Sequence, residues 1–204
     1  PATETPPGHW NLHAQAVSKR DRHTLDQDVQ MFFILGNALL DASIACWDAK
    51  VAYDFIRPVS AIHFLFTGKK IKAFAGANQG TQLINGEDWK SYVSTPSFAE
   101  YVSGHSTFSA ASAEVLTLFT GSPLFGGSAT IAAGSSKVEP GNTPAKEIIL
   151  KWKTFKQAAD EAGLSRRLGG IHFHSGDFEA RKLGKKIGRK VFNKAQSFID
   201  GTAS

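Results

Sequence analysis

Several things are scarce in this chain, and each shortage narrows what it can be. Cys46 is the only cysteine in 204 residues, which excludes an internal disulfide and a zinc site built on paired cysteines. It says nothing about compartment. No run approaches the roughly 18 consecutive apolar residues of a membrane span, so no transmembrane helix is expected. Strand-like alternation is sparse and no internal repeat is evident, which argues against a sheet-based or repeat architecture. The sequence opens on PATETPP without an initiator methionine and shows no signal-peptide pattern. It reads as a processed chain or a piece of a longer one.

What is present is ordinary for a globular protein: 42% hydrophobic and 20% charged residues, enough for one domain with a real core. The formal net charge of +5 suits an anionic ligand, and would also suit nucleic acid. Much of that charge, however, lies in one segment: Arg181, Lys182, Lys185, Lys186, Arg189, Lys190 and Lys194. Leu183, Ile187 and Val191 run through it at helical spacing, so it reads as the solvated face of an amphipathic helix rather than a nucleic-acid surface.

Residues 1–7 look like an extended lead-in, anchored by Gly8, His9 and Trp10. Apolar residues recur at three- and four-residue steps over 25–48, with Thr24 as N-cap. A short helix is expected over 59–66, started by Pro58 and stopped by Gly68. Residues 76–97 read as loop, 106–119 as a helix rich in small residues, and 121–143 as a long Gly/Ser/Pro-rich connection. Helices resume over 144–162 and 178–198. The expected fold class is all-α, a helical bundle with long irregular loops.

Three basic clusters carry the chemistry. In WDAKVAYDFIRP, Lys50 and Arg57 stand about two helical turns apart and could project from one face at the end of the long helix. In TPSFAEYVSGHSTFS, Ser103, Gly104 and His105 open a helix, where unpaired N–H groups and the helix dipole attract anions. His105 is there placed to exchange a proton with a bound anion. In SRRLGGIHFHSGD, Gly169 and Gly170 allow a bend that aims Arg166 and His172 at one point. Arg167 and His174 then face outward or support from behind, because neighbouring residues point in different directions. Taken singly, each cluster also reads as a solvated helix face, a capped helix or a structural histidine.

In order, the clusters spell K-x6-R-P, S-G-H opening a helix, and S-R-x5-H. This resembles the vanadium-dependent haloperoxidases and the type-2 phosphatidic acid phosphatase superfamily that shares their active site. TPSFAEYVSGHSTFS and SRRLGGIHF resemble the flanks of the haloperoxidase branch, and the likeness runs from PPGHWN to the last helix. It covers the C-terminal, catalytic half of typical members. Residues 1–204 are therefore expected to be a single catalytic domain. Two positions depart from the family pattern. Val102 replaces a proline, and Gly176 stands where the family has an aspartate, with Asp177 one residue later. Asp177 is expected to cap the last helix or, less directly, to orient His172.

The resemblance implies a function and assigns residues to it. Vanadate would be the cofactor, with phosphate able to occupy the same site. Lys50, Arg57 and Arg166 would neutralise its oxygens, with Ser103 and Gly104 binding others, and His172 would be the protein ligand to vanadium. His105 would exchange protons and Lys50 would polarise bound peroxide. Trp47 and Phe98 would wall the halide pocket, leaving chloride, bromide and iodide all open. The partners would be halide and hydrogen peroxide, and either the missing N-terminal half or a second copy of the chain. A family carboxylate that tunes the proton-exchanging histidine lies in that missing half; Asp41, Asp48, Asp54 and Glu100 are the local candidates for its role. The alternative is a soluble acid phosphatase, with His172 as nucleophile and His105 protonating the leaving oxygen. A helical module without catalysis is the rival from another class.

Overall fold

The structure, a computed structural model, describes residues 5–203. Helix α1 spans Pro6–Asp21, α2 Leu25–Tyr53, α3 Pro58–Leu65, α4 Gly104–Thr120, α5 Phe155–Leu168 and α6 His174–Ile199. Two antiparallel hairpins, β1 (Lys70–Phe74) with β2 (Thr81–Asn85) and β3 (Leu124–Ile131) with β4 (Ile148–Thr154), fill the longer connections. The fold is all-α in class, a bundle whose loops carry small two-stranded excursions.

Local chemistry sets the helix ends. Thr24 accepts from the Gln27 N–H while the Gln27 side chain accepts from the Thr24 N–H, a reciprocal capping box. Pro58 occupies the first turn of α3, where its missing N–H costs nothing. The proline-rich start behaves likewise: α1 begins at Pro6, so the expected lead-in is helical from that point. Residues 1–4 of the lead-in lie outside the described residues. Trp10 is buried and donates its indole N–H to Ser109 Oγ at 2.9 Å.

α4 is the central helix and touches α1, α2, α5 and α6. Its buried Ser106, Thr107, Ser109, Ala111, Ser112 and Ala113 present a nearly smooth surface. α6 approaches it through Gly184 and Gly188, where an added Cβ would run into the carbonyl oxygens of Thr107 and Ala111. Small residues on both sides let the backbones close up. A core of Trp10, Met31, Ile34, Leu35, Leu116, Phe125 and Phe155 fills the other side.

The helix expected over 144–162 is half strand. Residues 148–154 form β4 and the helix starts only at Phe155, after the Thr154 cap. IILKWKT satisfies β-propensity as well as a helical period, and pairing with β3 decides for strand.

α2 has two apolar faces. Met31, Ile34, Leu35, Ala38, Ala42 and Cys46 are buried in the bundle, while Leu25, Val29, Phe33, Leu40, Ile44 and Val51 are 50–79% exposed. The α2–α3 segment is by length and composition apolar enough to cross a membrane. Its buried inner face is that of a bundle core helix.

Candidate active site

The site forms where the end of α2, the start of α3, the 98–105 segment and the α5–α6 corner meet. α2 stops at Tyr53, with Asp54 in the left-handed region at φ 39. Arg57 therefore does not extend the helix, as the spacing suggested. It sits at the N-cap of α3 in extended conformation, which the following proline favours. Lys50 and Arg57 nevertheless converge. Lys50 Nζ donates to the carbonyls of Ala99 (2.8 Å) and Glu100 (3.1 Å). Arg57 donates to Phe98 O (2.8 Å), Ala99 O (3.2 Å) and Ile171 O (2.8 Å). Both cations are buried, and both lie 5.1 Å from the Phe98 ring centre. Burial lowers the Lys50 pKa from 10.5 to about 8, with Arg57 pushing the same way.

Arg166 enters from the last turn of α5. Its Nε is buried, and its guanidinium has no hydrogen-bond acceptor or ion-pair partner among the described residues. A buried guanidinium N–H without an acceptor is costly unless an anion joins it. After it, Gly169 ends the helix, and Gly170 at φ 75 turns the chain so that Ile171 and His172 point inward.

His172 is buried and its Nδ1 lies 2.6 Å from Glu100 Oε1. A carboxylate there fixes the proton on Nδ1 and leaves the Nε2 lone pair free to accept. Nε2 faces the cations, with Arg57 Nη1 3.2 Å away. Burial holds the His172 pKa below its ordinary value against the pull of Glu100. Glu100 was a candidate partner for His105; the structure pairs it with His172 instead. Asp41, Asp48 and Asp54, the other candidates, are exposed.

Ser103 caps α4, its Oγ accepting from the Ser106 N–H at 3.4 Å and lying 3.0 Å from Ser106 Oγ. Gly104 and His105 begin the helix, so their N–H groups have no acceptor within it. Burial lowers the His105 pKa from 6.5 to about 3, with Arg166, His172 and His9 adding to the effect. His105 is thus neutral at ordinary pH and ready to accept a proton once negative charge arrives beside it.

Asp177 neither caps α6 nor touches His172. Phe173 is the N-cap, and Asp177 lies in the first turn, fully buried. Its carboxylate accepts from Ser106 Oγ (2.7 Å) and from Arg181 Nε (2.8 Å) and Nη2 (2.7 Å), with Arg167 Nε at 2.9 Å. Arg167 is half-buried between Asp177 and Phe178, and the exposed His174 stacks on Phe178. Trp47 and Phe98 are 45% and 41% exposed with ring centres 4.8 Å apart, forming an aromatic wall beside Lys50 and Arg57.

The donor set suits an oxyanion. Three buried or half-buried cations face one carboxylate, and that carboxylate is committed to His172. Among the described residues no cluster of three or more His, Cys, Asp or Glu side chains could hold a bare metal ion. Residues 30–201 match the family described as the VCPO second helical-bundle domain. The chain belongs to the vanadium haloperoxidase family. A holo-type bacterial vanadium-dependent chloroperoxidase superposes with TM-score 0.88 at 26% identity, over 96% of this chain and 42% of that one. The first bacterial vanadium-dependent iodoperoxidase structure gives TM-score 0.70 at 31% identity, over 94% and 40%. The apo-type chloroperoxidase, at 24% identity and TM-score 0.89, shows the same fold. No curated protein sequence matches significantly. This haloperoxidase-family chain spans about two fifths of the length of these solved relatives.

Proposed function

We propose that this chain is the catalytic bundle of a vanadate-dependent haloperoxidase that oxidises a halide ion with hydrogen peroxide to hypohalous acid. The observation that carries the reading is Arg166, half-buried with a buried Nε that has no partner among the described residues, set against Lys50, Arg57 and the Nε2 side of His172. Vanadate, when bound, would supply the centre that activates peroxide.

The remaining chemistry belongs to the chain. Arg166 holds oxygens through its forked donors, Arg57 adds its charge and the N–H its carbonyl acceptors leave over, and Lys50 gives its remaining N–H. Ser103 and the N–H groups opening α4 take further oxygens, and His172 Nε2 offers the lone pair a metal centre requires. His105 is neutral before the anion arrives and accepts a proton beside it, which makes it the group that exchanges protons with entering peroxide. Phe98, underlying both Lys50 and Arg57, and Trp47 exclude water from one side and leave a polarisable surface for halide.

The exposed stripe of α2 supports a reading in which a partner covers it. Leu40 and Ile44 are followed on the same stripe by Trp47 at the site's wall, so whatever covers the stripe reaches the site. A first helical bundle is the occupant that the family description and the extra length of the solved relatives favour.

The test is to assay the chain with orthovanadate, peroxide and each halide using a phenol-type halogen acceptor, and in parallel with p-nitrophenyl phosphate. Vanadate-dependent halogenation that vanishes in His172→Ala supports the proposal. Phosphate-ester hydrolysis inhibited by vanadate, without halogenation, overturns it in favour of the acid phosphatase.

A further inference from the structure

We infer that Glu100 is the positioning carboxylate of His172, and that residue 176 is glycine because this carboxylate occupies the space a side chain there would need. The inference deepens the proposed site: it concerns how His172 is aimed, whichever reaction the site runs.

Glu100 is held on every side. Its N–H donates to Phe55 O at 2.9 Å, and its carbonyl accepts from Lys50. Its Oε1 receives the Phe173 N–H at 3.0 Å as well as His172 Nδ1 at 2.6 Å. The Ser103 N–H donates to Gly176 O at 2.9 Å, which pins the 100–103 segment onto the first turn of α6. The carboxylate is fully buried, and Oε2 has no hydrogen-bond partner among the described residues. The backbone strip 98–100 thus does two jobs. Its carbonyls accept Lys50 and Arg57, and its one side-chain carboxylate sets the direction of His172.

Gly176 packs directly against this carboxylate. A Cβ built there would overlap Glu100 Oε1 and lie 2.6 Å from both Cδ and Oε2. Even alanine would have to displace a carboxylate that two donors hold in place. The converse also follows. A side chain at 176 would begin where the Glu100 carboxylate now sits, so an aspartate there could present its oxygens to His172 Nδ1 once Glu100 is truncated. The carboxylate can come from position 100 or from position 176, but not from both.

The experiment compares the wild-type chain with Glu100→Ala, Glu100→Gln, Gly176→Ala and the double variant Glu100→Ala/Gly176→Asp. The first readout is the His172 ring tautomer, from long-range proton–nitrogen NMR correlations without added vanadate. The second is the orthovanadate dissociation constant from calorimetry. Wild type is expected to carry its ring proton on Nδ1. Glu100→Ala should lose that preference and bind vanadate roughly 10- to 100-fold more weakly. Glu100→Gln should keep the tautomer through its amide oxygen, and the double variant should recover it together with most of the affinity. Gly176→Ala alone should disturb the His172 signals. Should Glu100→Ala not fold, Glu100→Gln and the double variant still decide the matter. A wild-type proton on Nε2, or a double variant no better than Glu100→Ala, would overturn the inference. The tautomer is read without any turnover, so a chain that binds vanadate yet never halogenates would sink the haloperoxidase reading and leave this one standing.

Discussion

Replacing Lys50 by methionine separates a group kept for folding from a group kept for an anion. Lys50 is buried, and its pKa falls from 10.5 to about 8. At ~1.4 kcal/mol per tenfold change in proton affinity, holding the charge costs the fold on the order of 3 kcal/mol. Methionine removes that cost and preserves most of the packing. It also removes two donors, to Ala99 O and Glu100 O, of which Ala99 O keeps Arg57. One buried acceptor left bare costs ~1–3 kcal/mol. The variant should therefore lie between equal stability and ~2 kcal/mol more stable at pH 7, read from urea unfolding. The sign with pH is fixed by linkage. A lysine whose folded pKa lies below its unfolded value destabilises in full below pH 8, and the penalty fades as pH rises from about 8 to 10.5. The gain of Lys50→Met over wild type should shrink across that window. Oxyanion affinity should move the opposite way. Unit charges ~4 Å apart at an effective dielectric of ~20 interact by about 4 kcal/mol, so a loss of ~30- to 1000-fold in orthovanadate affinity is expected. A variant that binds vanadate like wild type, or that loses more than ~3 kcal/mol of stability at pH 7, would refute the reasoning.

Other expectations follow from packing and burial. Asp177→Asn strips charge from a buried carboxylate that accepts from Ser106 and Arg181 and faces Arg167, and should cost ~3–5 kcal/mol in chemical denaturation. Gly184→Val forces a side chain against the Thr107 carbonyl where α6 crosses α4, so the melting temperature should drop by the equivalent of ~1–3 kcal/mol or more. Leu40→Asp with Ile44→Asp, both on the exposed face of α2, should change stability by no more than ~1 kcal/mol while weakening any association measured by light scattering.

The parts of this molecule legible in the sequence are those with a local cause. Thr24 marked the start of α2, and Pro58 the start of α3, because caps and prolines act over three or four residues. The helix rich in small residues over 106–119 was legible, as was the bend at the glycine pair 169–170 that aims His172 inward. What was hidden depends on partners distant in the chain. IILKWKT became a strand because β3 lies beside it. Glu100 was visible as a carboxylate near the site, but its choice of His172, 72 residues away, is made by the packing of the 98–103 segment on α6. Asp177 looked like a cap because it stands near a helix start; burial against Arg181 and Ser106 gave it a structural task. The spacing of Lys50 and Arg57 suits a continuous helix, but the helix breaks at Asp54 and both still reach the same carbonyl strip.

The central claim is that the cluster around Arg166 exists to hold a tetrahedral oxyanion. Calorimetric titration of the chain with orthovanadate, repeated for Arg166→Ala, tests it most directly. Because the Arg166 side chain has no hydrogen-bond or ion-pair partner among the described residues, its loss should leave the melting temperature unchanged or raised. The account predicts one saturable site per chain in the wild type, competed by phosphate and weakened at least ~100-fold in the variant. Equal binding by both proteins, or no saturable binding by the wild type, would contradict it.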